Sequence, residues 1–365
     1  MAVSLPTNPA YADTIRDKQE WYLRSVNALQ AHSITTGAGV TVAVIDTGTY
    51  PHPDLRNNLL KGDDESSARA GDGQTDRQGH GTRMAALIAG HGRGSSGIQG
   101  LAPAAKILPI RVAEKAETKN SEVVARGVDF AIQNGASVIN ISMGGGPDFD
   151  LDDAIGRAIE HNIVVVASVG NTPRDFLINY PAANDGVVAV GATGRDGKHA
   201  SVSVKDAKVQ LCAPGVDIIS AVPKDGYSLG TGTSDSTAIV SGAAALVRAK
   251  FPELSAKDVI NRLTATADDI GAPGRDSECG FGRLNVFKAL TADVPPLEAA
   301  TPSAAPSAAA TTTVAAPAAT TPSAQAEAEP EPASSSTPLV LGVLAGLVVA
   351  GGLVAMLVIR RRRNF

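Results

Sequence analysis

The chain has 365 residues, of which 43% are hydrophobic and 19% charged, and its formal net charge is −5 at pH 7. This length is enough for one large hydrophobic core, and the small negative charge gives no reason to expect nucleic-acid binding. Because only 4% of the residues are aromatic, we expect a core of Val, Ile, Leu and Ala. The cysteines and histidines have no spacing typical of a metal site, and no cofactor is expected.

The amino end allows two interpretations. Within residues 1–12, Ala10-Tyr-Ala12 has the small-x-small pattern that precedes signal-peptidase cleavage, although no basic and apolar stretch stands before it. The segment is either the remnant of a signal peptide, with translation starting upstream, or an ordinary disordered end. Residues 13–33 form an N-terminal extension, in which five apolar residues predict a helix that docks on the core. These residues are Trp21, Tyr22, Leu23, Val26 and Leu29.

A continuous apolar run from Gly39 to Gly48 ends in Asp46 and predicts a buried parallel strand. An acid at the carboxyl end of such a strand points into the crevice where open α/β sheets hold their sites. Taken alone, Asp46 also fits a nucleotide-binding strand, but no Gly-x-Gly-x-x-Gly loop follows it. His80 stands between two glycines just before a predicted helix, and taken alone it fits a surface histidine.

A Gly/Thr-rich turn at Gly230 runs directly into a helix of small residues, and Ser234 stands at the junction. The first turn of a helix carries unpaired N–H groups and the positive end of its dipole. These donors can stabilise the negative charge that forms when an oxygen nucleophile attacks a carbonyl group. Gly242 and the alanines after it predict tight packing of this helix. By itself, Ser234 also fits an N-capping serine.

Strands and helices alternate through the middle of the chain. We predict a strand at Ile107–Val112, a helix near Ser121–Asn134, a strand within 136–145, a helix near Leu151–Glu160 and a strand within 163–171. This alternation predicts a parallel sheet with right-handed crossovers.

Three stretches together, Val44-Ile-Asp-Thr-Gly48, Gly79-His-Gly-Thr82 and Gly232-Thr-Ser234, resemble the motifs of the subtilisin family of serine proteases in the family's order, Asp, His, Ser. The resemblance runs from about residue 20 to about residue 290. It implies a subtilisin-like three-layer α/β fold with a mostly parallel central sheet over residues 34–292. It also implies peptide-bond hydrolysis by the catalytic residues Asp46, His80 and Ser234.

The resemblance assigns further roles around the cleft. The stretch Ser142, Met143 and Gly144 corresponds to the segment that pairs backbone to backbone with an extended substrate. Asn171 corresponds to the residue whose side-chain N–H stabilises the oxyanion. Without the three motifs, Asn171 would fit a turn residue after Gly170.

Cys212 and Cys279 both lie inside the predicted catalytic domain. If the domain works outside the cytoplasm, the simplest expectation is one disulfide between them. A pair of buried free thiols is the alternative, because spacing alone does not show that the two residues meet.

Asp235 is the main departure from the family pattern, which has Met-Ala-x-Pro after the nucleophile. Gly242 keeps its place eight positions after Ser234, so Ser234 rather than Ser236 holds the nucleophile position. A carboxylate in the first turn is favoured by the helix dipole, but its charge opposes a negative transition state unless it points away. An inactive scaffold that stabilises a membrane complex is therefore the alternative function.

The carboxyl-terminal part predicts a membrane anchor. Residues 293–338 are rich in Pro, Ala and Thr and read as a disordered linker. Residues 339–359 carry no charge over the length of a membrane-spanning helix, and residues 360–365 are a basic tail. By the positive-inside rule the tail is cytoplasmic and the protease domain is extracellular.

This layout, with a short amino end, a linker and one carboxyl-terminal span, resembles mycosins, which are membrane-anchored subtilases associated with type VII secretion in actinobacteria. The resemblance implies polypeptide substrates among secreted proteins and contact with a secretion complex.

Overall fold

The computed structural model describes residues 9–66, 71–92, 96–117 and 120–297. The predicted linker, beyond its first residues, the predicted membrane span and the basic tail lie outside the described residues. Within the described ranges, no helix is both long and apolar enough to cross a membrane. The membrane anchor at 339–359 therefore stays a prediction, as does the signal-peptide remnant.

A seven-stranded sheet, in the order β2-β3-β1-β4-β5-β6-β7, forms the centre of the domain. All of its strand pairs are parallel, as predicted. Nearly every residue in its six longer strands is buried, because helices cover both faces. The strands are β1 (Thr41–Asp46), β2 (Asp63–Asp64), β3 (Lys106–Arg111), β4 (Val138–Ile141), β5 (Val164–Ser168), β6 (Val188–Thr193) and β7 (Leu211–Pro214). An antiparallel hairpin follows, made of β8 (Ile218–Val222) and β9 (Gly226–Gly230).

The helices form layers on both sides of the sheet. One hydrophobic cluster lies between the sheet and α3 and α6, and a second lies between the sheet and α4 and α5. The predicted three-layer α/β arrangement is therefore present in the described residues. The helices are α1 (Pro9–Ser25), α2 (Ala28–Ala31), α3 (His80–Ala89), α4 (Ser121–Gln133), α5 (Phe149–Glu160), α6 (Thr233–Lys250), α7 (Ala256–Ala265) and α8 (Val286–Thr291).

Helix α1 packs beside the β8 strand. Tyr22, Leu23 and Val26 are buried, as the docking prediction required, whereas Leu29 is 42% exposed and takes no part in the core. The Tyr22 hydroxyl donates a hydrogen bond to the carbonyl oxygen of Ile219 at 3.1 Å. Burial raises the pKa of Tyr22 well above its usual range, so the hydroxyl stays a neutral donor.

Two further predictions about packing are confirmed. Cys212, on β7, and Cys279 form a disulfide, which excludes the pair of free thiols. Helix α6 approaches its neighbours closely at Gly242, where an added Cβ would stand 2.5 Å from the Cβ of Leu101. A larger residue at this position would push α6 away from the core.

Candidate active site

A cleft of about 240 Å³ opens where the carboxyl ends of β4 and β5 meet the first turns of α3 and α6. It brings together the predicted site residues from five separate parts of the chain, and Asp46 lies buried beneath His80. The predicted residues that line the cleft are His80, Ser142, Met143, Gly144, Asn171 and Ser234. This position at the carboxyl ends of parallel strands is the one expected from the sequence.

Asp46 and His80 form a hydrogen-bonded pair. The His80 Nδ1 atom lies 2.8 Å from Oδ1 and 2.9 Å from Oδ2 of Asp46. Because an ionised carboxylate can only accept, Nδ1 carries the proton, and Nε2 is left with its lone pair. The backbone N–H of Thr47 also donates to Asp46 Oδ1, at 2.7 Å, which fixes the carboxylate. The pair can therefore act as a general base with a defined tautomer.

Charged groups around His80 raise its pKa. Burial acts in the opposite direction, since it disfavours the charged ring, but the charge and hydrogen bond of Asp46 outweigh burial and raise the pKa of His80 above 6.5. Asp235 adds to the rise of this pKa, and Arg83 opposes it.

This shift predicts the pH dependence of activity. Because His80 must be neutral to accept a proton, kcat/KM should rise with pH through the raised pKa, so its acid limb should lie above pH 6.5. Folding stability follows the opposite sign: the contribution from His80 is complete below its unfolded pKa and disappears as pH rises through the folded pKa. Steady-state kinetics across pH tests the first point, and an acid limb below pH 6.5 would contradict it.

Asp76 fixes the start of α3, a role that the sequence motifs do not predict. Its carboxylate accepts hydrogen bonds from the N–H groups of Gly79 at 2.7 Å and Thr82 at 2.9 Å, and from the Thr47 hydroxyl at 3.0 Å. The helix has no side-chain cap on the residue before it, so Asp76 takes over that function from outside. Gly81 allows the start of α3 to lie close to the end of β1, because a Cβ there would stand 2.0 Å from the carbonyl oxygen of Gly48.

Ser234 lies in the first turn of α6, as predicted. Its hydroxyl donates to the carbonyl oxygen of Ser142 at 3.0 Å, and the Ser142 hydroxyl donates to the carbonyl oxygen of Ser234 at 3.2 Å. The predicted nucleophile thus faces the segment Ser142–Gly144 rather than the ring of His80. A hydrogen bond to His80 Nε2 requires the Ser234 hydroxyl to leave the carbonyl oxygen of Ser142. Catalytic hydrogen bonds often form only with substrate bound.

Asn171 is held with its amide group against α6. Its Oδ1 atom accepts from the N–H of Thr233 at 2.8 Å and from the Thr233 hydroxyl at 3.2 Å. Because Oδ1 is used in this way, the Nδ2 donor is the end of the amide that remains for a ligand in the cleft. The geometry suits an oxyanion donor next to Ser234.

We therefore expect Asn171→Ala to lower kcat by roughly 10²- to 10³-fold, with a much smaller effect on KM. Steady-state kinetics on a peptide substrate measures both values. Thermal unfolding checks that the loss of the hydrogen bonds to Thr233 has not destabilised the fold. Asn184→Ala is the matched control, since Asn184 bonds Asp152 and does not line the cleft. An unchanged kcat in Asn171→Ala would refute the oxyanion role.

Asp235 lines the cleft and pairs there with Arg83, which lines it as well. Its Oδ1 atom lies 2.8 Å from a terminal nitrogen of Arg83, and both side chains are almost buried. Arg83 is not among the site residues predicted from the sequence, although it stands one helical turn after His80. The negative charge beside Ser234 is thus compensated by a cation.

Comparison with known proteins identifies the family of this chain. The Subtilase family (Peptidase_S8) matches residues 37–282. The thermostable alkaline protease of Halalkalibacterium halodurans is 35% identical over 262 residues, which cover 71% of each chain. Subtilisin Savinase of Lederbergia lenta is 38% identical over 255 residues, 69% of this chain and 92% of that protein.

Solved structures give the same assignment. MycP1 with its N-terminal propeptide removed matches with a TM-score of 0.67 and 33% identity, over 75% of this chain and 98% of the other. MycP1 from the ESX-1 type VII secretion system matches with a TM-score of 0.68 and 31% identity, over 75% and 86%. The family match, the sequence relatives and the parallel sheet agree: the chain belongs to the subtilase family of serine-type endopeptidases.

Proposed function

We propose that this chain is a membrane-anchored extracellular serine endopeptidase that cuts peptide bonds through an acyl-enzyme formed on Ser234. The observation that carries the proposal is the Asp46–His80 pair, with His80 Nδ1 bonded to the carboxylate, beside Ser234 in one cleft. A buried acid, an imidazole of fixed tautomer and a hydroxyl at a helix N-terminus are the three parts of a serine-protease catalytic triad.

In the proposed reaction, an extended substrate pairs with the backbone of Ser142–Gly144. Ser234 rotates away from the Ser142 carbonyl oxygen, and His80 Nε2 accepts its proton as Oγ attacks the scissile carbonyl. Asp46 stabilises the imidazolium, and the oxyanion accepts hydrogen bonds from Asn171 Nδ2 and the Ser234 N–H. His80 then gives the proton to the leaving amine, and a water molecule hydrolyses the acyl-enzyme by the same steps in reverse.

The predicted anchor and the structural relatives support a place at the cell membrane. Residues 339–359 have the length and composition of a span, and the tail after them is basic. Both of the solved structures compared above are MycP1 proteins, and the second is from a type VII secretion system. We infer that the substrates are secreted polypeptides of such a system and that the chain contacts a secretion complex.

Labelling with a fluorophosphonate tests the chemistry. We expect covalent capture of the full chain at a pH above the His80 pKa, together with cleavage of a peptide library. The alternative function, an inactive scaffold, was suggested by Asp235, and its pairing with Arg83 weakens that argument. Neither labelling nor cleavage across the pH range would favour the scaffold.

A further inference from the structure

We propose that Arg83 and Asp235 are a positioning pair: their ion pair fixes the first turn of α6 against α3 and neutralises the carboxylate next to the nucleophile. This inference rests on the proposed function of Ser234 and His80. Arg83 follows His80 by one turn of α3, and Asp235 follows Ser234 directly in α6. The ion pair therefore joins the two helices that supply the base and the hydroxyl.

The guanidinium of Arg83 is held from several sides. One terminal nitrogen donates to the carbonyl oxygen of Ser228 at 2.7 Å and to its hydroxyl at 3.0 Å. The other donates to the carbonyl oxygen of Ile218 at 3.1 Å and to Asp235 at 2.8 Å. The group lies against Gly230, where an added Cβ would stand 2.1 Å from a terminal nitrogen of the guanidinium. A cation fixed in this way cannot follow the carboxylate if α6 moves.

Burial makes this pair sensitive to the loss of either partner. The Arg83 and Asp235 side chains are only 10% and 5% exposed. Removing one partner of a buried pair leaves an uncompensated charge, which is far more costly than replacing both by neutral groups. Without Arg83, the uncompensated charge is a carboxylate beside Ser234, where it opposes formation of the negative oxyanion.

Several charged groups act around His80, so the effect of the pair must be separated from theirs. Asp46 lies beneath the ring, Asp76 holds the first turn of α3, and the other charged residues that line the cleft are Glu117, Arg174 and Asp175. None of these changes in the variants below. Asp235 raises the pKa of His80 and Arg83 lowers it, so the two substitutions act on this pKa with opposite signs.

The test is a double-mutant cycle of Arg83→Gln, Asp235→Asn and their combination in the full chain. We expect Arg83→Gln to lower kcat/KM by about 10- to 100-fold and the double variant to regain most of it. We also expect the acid limb of kcat/KM to move to lower pH in Asp235→Asn, to higher pH in Arg83→Gln, and back toward the wild-type position in the double variant. A purely structural pair would change stability without these opposite shifts.

Direct titration of His80 makes the test independent of activity. The ring signal of His80 is followed by NMR in a Ser234→Ala background and is identified by its loss in His80→Gln. If the chain hydrolyses no peptide, the proposed function fails, while this titration still decides the role of the pair. If Arg83→Gln does not fold, Arg83→Lys replaces it in the test. Because lysine keeps the positive charge, His80 in Arg83→Lys should titrate near its wild-type pH.

Asp268→Asn is the matched control for charge removal. Asp268 pairs with Lys288 at 2.7 Å and does not line the cleft, so it should leave the His80 titration unchanged. Shifts of equal sign in both single variants, or no shift in either, would overturn the proposal. So would additive losses of kcat/KM in the double variant.

Discussion

Ser234→Ala should reduce kcat by about 10⁶-fold, the size of loss known for the nucleophile of a subtilisin. The substitution removes only the hydroxyl group, which donates one hydrogen bond, to the Ser142 carbonyl oxygen. The fold should therefore remain, because α6 is held by its buried apolar residues. Single-turnover kinetics with a chromogenic peptide measures the loss, and fluorophosphonate capture should disappear with it.

Ser236→Ala is the matched control, because Ser236 stands in the same first turns of α6. Its hydroxyl donates to the carbonyl oxygens of Ala213 at 2.9 Å and Pro214 at 3.2 Å, away from the cleft. We expect this variant to keep fluorophosphonate capture and most of kcat. Capture that persists in Ser234→Ala and disappears in Ser236→Ala would show that the register of the nucleophile is wrong.

Asp46→Asn should lower kcat by about 10⁴-fold. In the native site, Asp46 Oδ1 accepts from the Thr47 N–H at 2.7 Å, so an asparagine would keep its carbonyl oxygen there. Its NH₂ group would then face His80 and donate to Nδ1. This contact stabilises the tautomer with the proton on Nε2, in which His80 cannot accept the proton of Ser234.

Kinetics and NMR together check this explanation. KM should change little, and the His80 titration should move to lower pH, because Asp46 is the main group that raises the pKa of His80. Asp54→Asn is the control, since Asp54 is equally buried but accepts from the Tyr227 hydroxyl and the Ile98 N–H, away from the cleft. Equal losses of kcat in both variants would mean that the effect is structural.

Much of the fold follows from local patterns in the sequence. An apolar run marks the strand that ends in Asp46. A glycine next to a polar residue marks the helix that begins at His80 and the helix that carries Ser234. Parallel pairing then follows from the alternation of strands and helices. The strands β2 and β6 to β9 and the helix α7 have no counterpart among the elements predicted from the sequence.

Long-range side-chain contacts were beyond sequence reasoning. Asp235 alone predicts a charge that hinders the reaction, and only the fold brings Arg83, 152 positions away, within 2.8 Å of it. Asp76 differs, because its contacts with α3 are local, yet the helix that it caps starts four residues later, outside the usual capping distance. The sequence does hold one signal for the ion pair: Arg83 and Asp235 have opposite charges, and each directly follows one of the three family motifs.

The placement of α1 has a consequence for how the amino end can affect the enzyme. Tyr22 is bonded to β8, and Gln19 is bonded to the backbone of Gln99, while none of the residues from 15 to 33 lines the cleft. Trimming this helix would therefore uncover apolar surface and weaken the domain instead of unblocking the substrate path. Recombinant versions that begin at residue 34 should accordingly be prone to aggregate.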